Sequence, residues 1–436
     1  MDRKITIKEL KKFKKQYHKN PANKIIENVI TRVGIDEACF NHETLIENQN
    51  LFNIETSLGS VQNQRQSARC WCFAGTNLIR GNIAENMNID IKDFNLSNVY
   101  ISFYDRLEKF NNAYENLFTA ENLDPDYLNE EEYFLSTEGG WYQTFATLVT
   151  KYGLVPSSYM PETHDSLSSN RLNILLQEKL KYDASIIIGL RKENKSIEEL
   201  REIKEKMLAE VYEILCKVLG EPPEEFTLEY KDKDKKIIRI ENMTPIAFKE
   251  KYLTLDVNDF IVLRNLEHEK RKFYQIYQDK RIFLSLEKPR TYLNVPMDEL
   301  KKVAIKQLKD NIPVWFACPA NKMWNRKEWI LDTRNYNYQD ILGMKWMDKK
   351  TQNTFYELPA SHAMSIVGVH LVENEPVRWK VEDSYGKDKG NSQFIIMNDN
   401  YFEEKAVYVA IHKKYLTKKM LDCLDQKPII IGIHEM

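Results

Sequence analysis

The stretch QNQRQSARCWCFAG, residues 62–75, places two cysteines, Cys70 and Cys72, on either side of a tryptophan. Polar residues precede Cys70 and apolar residues at helical spacing follow it, so we expect a helix to begin near this cysteine. A thiol in the first turn of a helix lies at the positive end of the backbone dipole, which favours the thiolate. Each cysteine therefore has two interpretations, a small core residue or a nucleophile.

The composition predicts a large folded protein in a reducing compartment. The chain has 436 residues, and its hydrophobic content of 42% is enough for a sizeable core. A net charge of −2 gives no field that draws the whole molecule to nucleic acid or to a membrane. The six cysteines are scattered and none has zinc-ligand spacing, so we expect no metal and no disulfide framework.

The amino-terminal segment, residues 1–20, is rich in lysine and lacks the apolar core of a secretory signal. No apolar run approaches the ~20 residues that cross a bilayer, so we expect a cytoplasmic protein without a membrane partner. A membrane-surface helix is one interpretation of this segment, and a helix docking on its own protein is the favoured one. Its apolar residues are Ile5, Ile7, Leu10, Phe13 and Tyr17.

Hydrophobic periodicity predicts helices in the first half of the chain and strands in the last third. Helical patterns cover most of residues 70–118, with Ser97 as a cap, and residues 141–153. A long amphipathic helix over 196–220 and a hairpin over 226–240 follow. After one helix at 297–311, short strands are rich in β-branched and aromatic residues. This order predicts an α+β fold with a central insertion.

His362 and Asp383 are candidate partners of a cysteine nucleophile, which needs a base and an orienting group. His362 opens an apolar strand, where an imidazole must find a hydrogen bond. Asp383 ends a strand 21 residues later, and adjacent antiparallel strands bring the two together. Each residue alone has an ordinary structural interpretation, but together with Gln64, six positions before Cys70, they predict catalysis.

The segment QNQRQSARCW resembles the nucleophile segment of papain-like cysteine peptidases, whose C-G-[SA]-C-[WY] signature is a near relative. More closely, the chain resembles the aminopeptidase C / bleomycin hydrolase family over most of its length. The segments that carry this resemblance are LSNVYISFYDRLEK, EGGWYQTFATLVTKYGLVPSSYMPET, EYKDKDKKIIRIENMTP, TYLNVPMDELKKVAIKQLKDNIPVWFAC, SHAMSIVGVHLVENEPVRWKVEDSYG and IHKKYL.

The resemblance implies a papain-like two-lobed fold, with a helical lobe, an antiparallel β-barrel lobe and a helical and hairpin insertion. The predicted units are an amino-terminal segment on the β lobe (1–60), the helical lobe with the nucleophile (61–184), an inserted assembly hook (185–300) and the β lobe with the carboxy-terminal arm (301–436). It also implies a homohexamer with active sites facing an inner chamber, and no organic cofactor or metal.

The resemblance assigns Cys70 as nucleophile, His362 as base, Gln64 as oxyanion donor and Asp383 as third triad member, and leaves Cys72 as a packing residue. It also implies a substrate cleft, although the two glycines in it have an alternative interpretation as a plain turn between helices. The residues of that cleft are Gly139, Gly140, Trp71, Ser361, Ala363 and Met436.

The chain departs from the family pattern at three places. Asp383 and Tyr385 stand where the family has asparagine and tryptophan, and the aspartate charge is expected to raise the pKa of His362. Ala68 replaces a glycine, which costs ~1 kcal/mol if that position requires a positive φ. The tail closes with GIHEM, so its carboxylate either pairs with the substrate amine or is retracted; His434 adds an ionisable group there.

These observations predict a cytosolic cysteine aminopeptidase that acts on peptides. Two alternatives stay open at this point. One is an oligopeptidase or endopeptidase-like activity released by the altered tail. The other is a catalytically silent ring protein that binds peptides or nucleic acid, which Asp383 and Ala68 keep in consideration.

Overall fold

The computed structural model describes residues 4–130, 138–279, 284, 289–320, 322–355, 360–385 and 394–432. Its helices, in chain order, are α1 Ile7–Tyr17, α2 Ala22–Val33, α3 Ile35–Cys39, α4 Glu43–Glu47, α5 Cys70–Asn86, α6 Asn98–Thr119, α7 Pro125–Glu130, α8 Tyr142–Tyr152, α9 His164–Leu167, α10 Asn170–Lys192, α11 Ile197–Leu219, α12 Pro245–Tyr252, α13 Met297–Lys309, α14 Tyr338–Leu342, α15 Lys349–Thr354, α16 Asp399–Lys405 and α17 Lys418–Cys423. Within this part of the chain, none of the helices is both long and apolar enough to span a membrane.

The predicted helices of the first half are confirmed, and local capping residues set their ends. The Ser97 side chain accepts a hydrogen bond from the Tyr100 amide and starts α6, as expected of an N-cap. Helices α8 and α11 end at Gly153 and Gly220, both with positive φ. Ser196 starts α11 with a reciprocal capping box.

The strands of the last third are also confirmed, together with the hairpin of β2 and β3. In chain order the strands are β1 Ile54–Glu55, β2 Phe226–Lys231, β3 Ile237–Met243, β4 Phe260–Arg264, β5 Gln275–Asp279, β6 Thr291–Asn294, β7 Val314–Cys318, β8 Trp324–Asn325, β9 Ile330–Leu331, β10 His362–Val372, β11 Glu375–Glu382, β12 Ile395–Asn398, β13 Tyr408–His412 and β14 Ile429–Ile431.

A single mixed sheet joins every strand except β2 and β3, in the order β14-β5-β6-β4-β13-β7-β10-β11-β12-β9-β8, with β1 added on β10. Most pairings are antiparallel, but β4 with β6, β5 with β14 and β9 with β12 are parallel. Strands β4 to β6 lie within the predicted insertion, so part of that sequence is built into the sheet. The arrangement of helices and sheet is the predicted α+β class.

Helix α5 lies against β10, and this contact joins the helical part of the molecule to the sheet. The Ser365 hydroxyl on β10 donates to the carbonyl of Ala74 at 3.3 Å. On the adjacent strand β7, the Trp315 indole N–H donates to the carbonyl of Trp71 at 3.1 Å. These contacts fix the first turn of α5 beside the start of β10, which is where the cleft forms.

The amino-terminal helices pack differently from the rest of the chain. No residue of α1 or α2 is buried, although α1 begins with a full capping box at Thr6 and Glu9. Further along, Cys39 is buried and β1 pairs with β10, so this later part of the predicted 1–60 unit does lie on the sheet. Large apolar side chains exposed on the amino-terminal helices and just before them are Ile5, Ile7, Leu10, Phe13, Ile25, Val29 and Val33.

Candidate active site

Cys70 is the first residue of α5, at the end of the helix where backbone N–H groups lack intrahelical partners. The preceding residue, Arg69, supplies no side-chain cap, and its guanidinium instead pairs with Glu162 at 2.7 Å. Burial raises the pKa of the Cys70 thiol, whereas the charge of His362 and, to a smaller extent, the backbone amides of Trp71 and Ala363 lower it. The thiol therefore lies at an uncapped helix terminus, between the helix and the start of β10.

His362 begins β10, and its Nε2 lies 2.7 Å from Oδ1 of Asp383. The antiparallel register pairs Ser365 with Glu382, which brings Asp383 alongside the start of β10. His362 and Cys70 line the same cavity, where the thiol and the imidazole interact electrostatically. The structure thus brings together the cysteine, histidine and aspartate named from the sequence, while their catalytic roles stay predictions.

Charge couples Cys70 and His362. Burial of the imidazole works against its charged form, but the Asp383 carboxylate and the Cys70 sulfur raise the pKa of His362 well above its usual value. Burial also works against the Cys70 thiolate, yet the charge of His362 and the hydrogen bonds it receives bring the pKa of the thiol below its usual value. These opposite shifts favour an ion pair, with the proton on the imidazole and the negative charge on the sulfur.

The two carboxylate oxygens of Asp383 differ in their hydrogen bonds. Its Oδ1 also accepts a hydrogen bond from the Ser384 amide at 2.8 Å. Its Oδ2 is buried and has no hydrogen-bond partner within the described part of the chain. A buried carboxylate with an unpaired oxygen depends on a nearby positive charge, and the His362 imidazolium supplies it. Aspartate at this position therefore favours the charged imidazole, as expected from the sequence.

Gln64 is buried, and the loop after β11 fixes its orientation. The Ser384 hydroxyl donates to the side-chain Oε1 of Gln64 at 2.5 Å, and the backbone amide of Gln64 donates to the Ser384 carbonyl at 2.6 Å. The Gln64 side-chain amide donates one hydrogen to the carbonyl of Ser67. A primary amide has two hydrogens, so a second donor is left for a ligand. Ser384 is a positioning residue that the sequence analysis missed.

The loop before Cys70 is tied to the glycine segment by Glu138. This buried carboxylate accepts hydrogen bonds from Arg106 at 2.8 Å and from the Ser169 hydroxyl at 2.8 Å, and the Ser169 backbone amide donates to the carbonyl of Gln66 in the loop at 3.2 Å. Burial alone raises the pKa of Glu138, but Arg106 and these hydrogen bonds bring it below its usual value. Ala68 is not among the residues with positive φ, so the backbone strain considered for it is absent.

Gly139 and Gly140 line the cavity beside Cys70. Gly139 has φ +89°, a conformation that L side chains rarely adopt. A Cβ on Gly140 would lie 2.6 Å from the ring of Trp71, so only glycine lets these two segments approach so closely. The cavity has a volume of about 300 Å³. Its lining includes Ala68, Cys70, Trp71, Gly139, Gly140, Ser361, His362 and Ala363, so it contains each predicted cleft residue within the described ranges. Met436 and His434 lie outside those ranges.

Two aromatic rings lie beside His362. The Tyr385 ring is 5.6 Å from the imidazole, centroid to centroid, with an interplanar angle of 21°. The Trp324 ring is 6.3 Å from the imidazole at 25°, and 6.4 Å from Tyr385. Tyr385, which stands where the family has tryptophan, thus places an aromatic ring against the imidazole. Trp324 was missed, because it lies on a two-residue strand 38 positions before the histidine.

Cys72 differs from Cys70 in its exposure and in the direction in which its pKa is shifted. It is fully buried, and its sulfur lies 3.1 Å from Oδ1 of Asn98 on α6. Burial raises the pKa of the Cys72 thiol well above its usual value. The structure thus gives Cys72 the surroundings of a packing residue.

A buried ion pair links the nucleophile helix to the strand that carries Asp383. Arg80 on α5 and Glu382 at the end of β11 are 2.9 Å apart, and both side chains are 2% exposed. Arg80 also donates to the carbonyl of Ser60 at 2.8 Å and to Asn95 at 2.9 Å. Glu382 directly precedes Asp383, so this pair connects both halves of the site. Neither residue was singled out from the sequence.

Among the described residues, no group of three or more His, Cys, Asp and Glu side chains is arranged to hold a metal ion. The site consists instead of an acid–base pair, an amide donor and a cavity. Such an arrangement can attack a carbonyl with sulfur, stabilise the resulting oxyanion and return a proton to a leaving group.

Comparisons with known proteins agree with this geometry. A model of the Peptidase C1-like family matches residues 4–435. Aminopeptidase E of Lactobacillus helveticus is 36% identical over 98% of this chain and 98% of its own length. Aminopeptidase C of Listeria innocua is 36% identical over 99% of this chain and 98% of its own length. Bleomycin hydrolase of Mus musculus is 29% identical over 94% and 93% of the two chains.

One solved structure has the same overall architecture. The crystal structure of PepW from Lactobacillus rhamnosis superimposes with a TM-score of 0.93 at 33% identity. The match covers 99% of this chain and 98% of that one. The similarity therefore extends over the helices, the sheet and the amino-terminal segment alike.

Proposed function

We propose that this chain, which belongs to the Peptidase C1-like family and is a cysteine peptidase, is an aminopeptidase that removes the first residue of a peptide. The observation that carries the proposal is the 2.7 Å contact between His362 and Asp383 at the cavity that Cys70 also lines, together with the opposite pKa shifts of the thiol and the imidazole. Relatives similar over nearly their whole length are named as aminopeptidases, which supports the same activity here.

The reaction begins with the thiolate of Cys70, which attacks the carbonyl carbon of the first peptide bond. The carbonyl oxygen becomes an oxyanion, and its donors are the free hydrogen of the Gln64 side-chain amide and the backbone N–H of Cys70. Ser384 orients the Gln64 amide before substrate arrives, so little reorganisation is needed as the charge develops.

Collapse of the tetrahedral intermediate breaks the C–N bond. The His362 imidazolium donates its proton to the departing amine, which leaves as a shortened peptide. His362 is then neutral and takes a proton from a water molecule that attacks the thioester. Collapse of this second intermediate expels the Cys70 thiolate, while the imidazole keeps the proton that it took from water. The amino acid leaves and its new carboxyl group loses a proton to solvent. Asp383 keeps the ring oriented and stabilises its charged form.

An aminoacyl fluorogenic amide, with and without a thiol alkylator, tests the catalytic proposal. We expect alkylator-sensitive turnover by the wild type and none by Cys70→Ala. Full turnover by Cys70→Ala, or wild-type turnover that resists alkylation, would refute the assignment of the nucleophile.

A peptide with a free amino terminus and the same peptide acetylated test the restriction to the amino end. We expect acetylation to abolish cleavage, because an aminopeptidase must recognise the charged amine. Equal rates for the two peptides would instead support the oligopeptidase alternative that the altered tail raises.

We also propose a homohexamer, which the exposed apolar side chains of α1 and α2 support because further copies of the chain can bury them. Light scattering on the purified chain should give six times the mass of one chain; a monomer at micromolar concentration would contradict this.

A cytoplasmic location is proposed as well, since all six cysteines are free thiols. Cell fractionation tests it.

A further inference from the structure

The aromatic rings beside His362 lie outside the cavity that faces the glycine segment. Neither Trp324 nor Tyr385 lines that cavity, although both lie within 6.3 Å of the imidazole, centroid to centroid. In the proposed reaction, His362 hands its proton to the departing amine, so the leaving peptide must begin at the imidazole. The rings therefore lie where the leaving peptide extends away from the scissile bond.

Arg326 is two residues after Trp324 in the sequence, and its side chain lies over the Trp324 ring. Its guanidinium carbon is 4.1 Å from the centroid of the Trp324 ring, a stacked cation–π distance. The residue is exposed, and no described residue offers its guanidinium a hydrogen-bond acceptor or a carboxylate. A guanidinium over an aromatic face still has N–H donors for other partners, and its planar fork binds a carboxylate with two hydrogen bonds.

The neighbouring charges distinguish Arg326 from an ordinary surface cation. Lys327, the next residue, has its amine 3.6 Å from Glu37, and both of those side chains are exposed. Glu328 is exposed and is the acidic residue next in sequence, but no ion pair joins it to Arg326. Arg326 is therefore a cation over an aromatic ring that has no counter-ion among the described residues, and that ring lies beside the proton donor.

The distance from the imidazole to the two aromatic rings matches the length of a short leaving peptide. One extended residue spans ~3.3–3.6 Å, and the Trp324 and Tyr385 rings are 6.3 Å and 5.6 Å from the imidazole, so a leaving group of one or two residues is long enough to reach these rings. Longer peptides carry their terminal carboxylate past this surface. The chemistry that matches Arg326 is thus a peptide carboxylate at the second or third residue of the substrate.

We propose that Arg326, held over Trp324, binds the carboxyl terminus of dipeptide and tripeptide substrates and so makes this enzyme selective for short peptides. The inference rests on the proposed aminopeptidase function and adds a substrate class to it. Arg326 would act in binding the leaving group and would take no part in proton transfer.

The test compares leucylglycine with leucylglycinamide, which differ only in the terminal carboxylate. We expect the wild type to show a kcat/KM for the free acid about fivefold above that for the amide, the size of one partly exposed ion pair. Arg326→Gln should bring this ratio to about one, whereas the matched control Lys327→Gln should keep the wild-type ratio. High salt should shrink the wild-type ratio as well.

A wild-type ratio of one, or an Arg326→Gln ratio equal to that of the wild type, would overturn the proposal. Failure of the aminopeptidase function has a different signature, the absence of Cys70-dependent turnover of either dipeptide. Calorimetry on Cys70→Ala then decides the carboxylate site without catalysis. About fivefold tighter binding of the free acid, lost in Cys70→Ala/Arg326→Gln, supports it, and equal affinities for acid and amide refute it.

Discussion

The two sides of the cleft hold their reactive groups by different means. On the helical side, Cys70 sits where a helix starts, and the loop before it is tied down by Glu138 a short distance away in space. On the sheet side, His362 and Asp383 meet only because β10 and β11 pair in one register. A shift of that register by one residue would turn the imidazole to the other face of the sheet. The nucleophile is thus set by local structure, and its base by long-range pairing.

The two sides also use buried ion pairs differently. Arg106 and Glu138 are both on the helical side and brace the nucleophile loop against the glycine segment. Arg80 and Glu382 span the two sides, from the nucleophile helix to the residue before Asp383. We infer that the first pair shapes the cavity, while the second sets the distance between the sulfur and the imidazole.

The largest effect expected from a single substitution is on the nucleophile itself. Cys70→Ala should lower kcat by at least ~10⁴-fold, because loss of the attacking group leaves only binding and oxyanion stabilisation. Cys72→Ala, two positions along the same helix, should keep most of the activity, with a loss of stability from its buried cavity. Steady-state kinetics on both variants measures this contrast; similar losses of kcat would contradict the separation of roles.

The tie between the two sides is tested by Arg80→Met, which leaves Glu382 buried without a partner. We expect the free energy of unfolding to fall by ~3–5 kcal/mol, measured by urea denaturation. The double variant Arg80→Met/Glu382→Met should recover part of that loss, because it removes the buried charge together with its partner. If the single variant were as stable as the wild type, the pair would have no structural role.

The oxyanion donor lies on the helical side but is oriented from the sheet side. Gln64→Ala should lower kcat by ~10²–10³-fold, about 3 kcal/mol of transition-state stabilisation, with little change in KM. Ser384→Ala should cost less, about three- to tenfold, because it removes one hydrogen bond that orients the amide. An equal loss in the two variants would indicate that Ser384 acts on Asp383 instead.

The smallest effect concerns the pH profile on the sheet side. The Asp383 charge raises the pKa of His362, so the imidazolium persists to higher pH and is lost as the pH rises through that raised pKa. Asp383→Asn removes the charge and keeps an acceptor, which should move the alkaline limb of kcat/KM to lower pH. A pH–rate profile measures this, and an unmoved alkaline limb would show that the charge is irrelevant.

What the sequence predicts well is what neighbouring residues determine. Caps such as Ser97 and helix ends such as Gly153 act within one turn, so α6 and α8 were predicted from the chain alone. The contact between Gln64 and Ser384 joins residues 320 positions apart, and no local pattern marks it. Arg80 and Glu382 were missed for the same reason.

The same distinction between local patterns and long-range contacts explains what could be predicted of the sheet and of the amino-terminal helices. The pattern of apolar residues predicts a strand in AVYVAIHK, residues 406–413, but not that this strand, β13, pairs with β4, about 150 residues earlier. The apolar stripe of α1 was expected to dock on its own protein, yet none of its residues is buried. An amphipathic pattern shows that a helix has an apolar face without identifying what covers that face.

The central claim is that Cys70 and His362 form an ion pair before substrate binds. The rate of Cys70 alkylation by iodoacetamide, followed against pH in the wild type and in His362→Ala, measures it most directly. Mass spectrometry of the modified peptide separates Cys70 from the buried Cys72. We predict that the wild-type thiol titrates below its usual pKa and that His362→Ala returns it toward or above that value. A wild-type Cys70 that titrates at the usual thiol pKa, unchanged by loss of His362, would contradict the account.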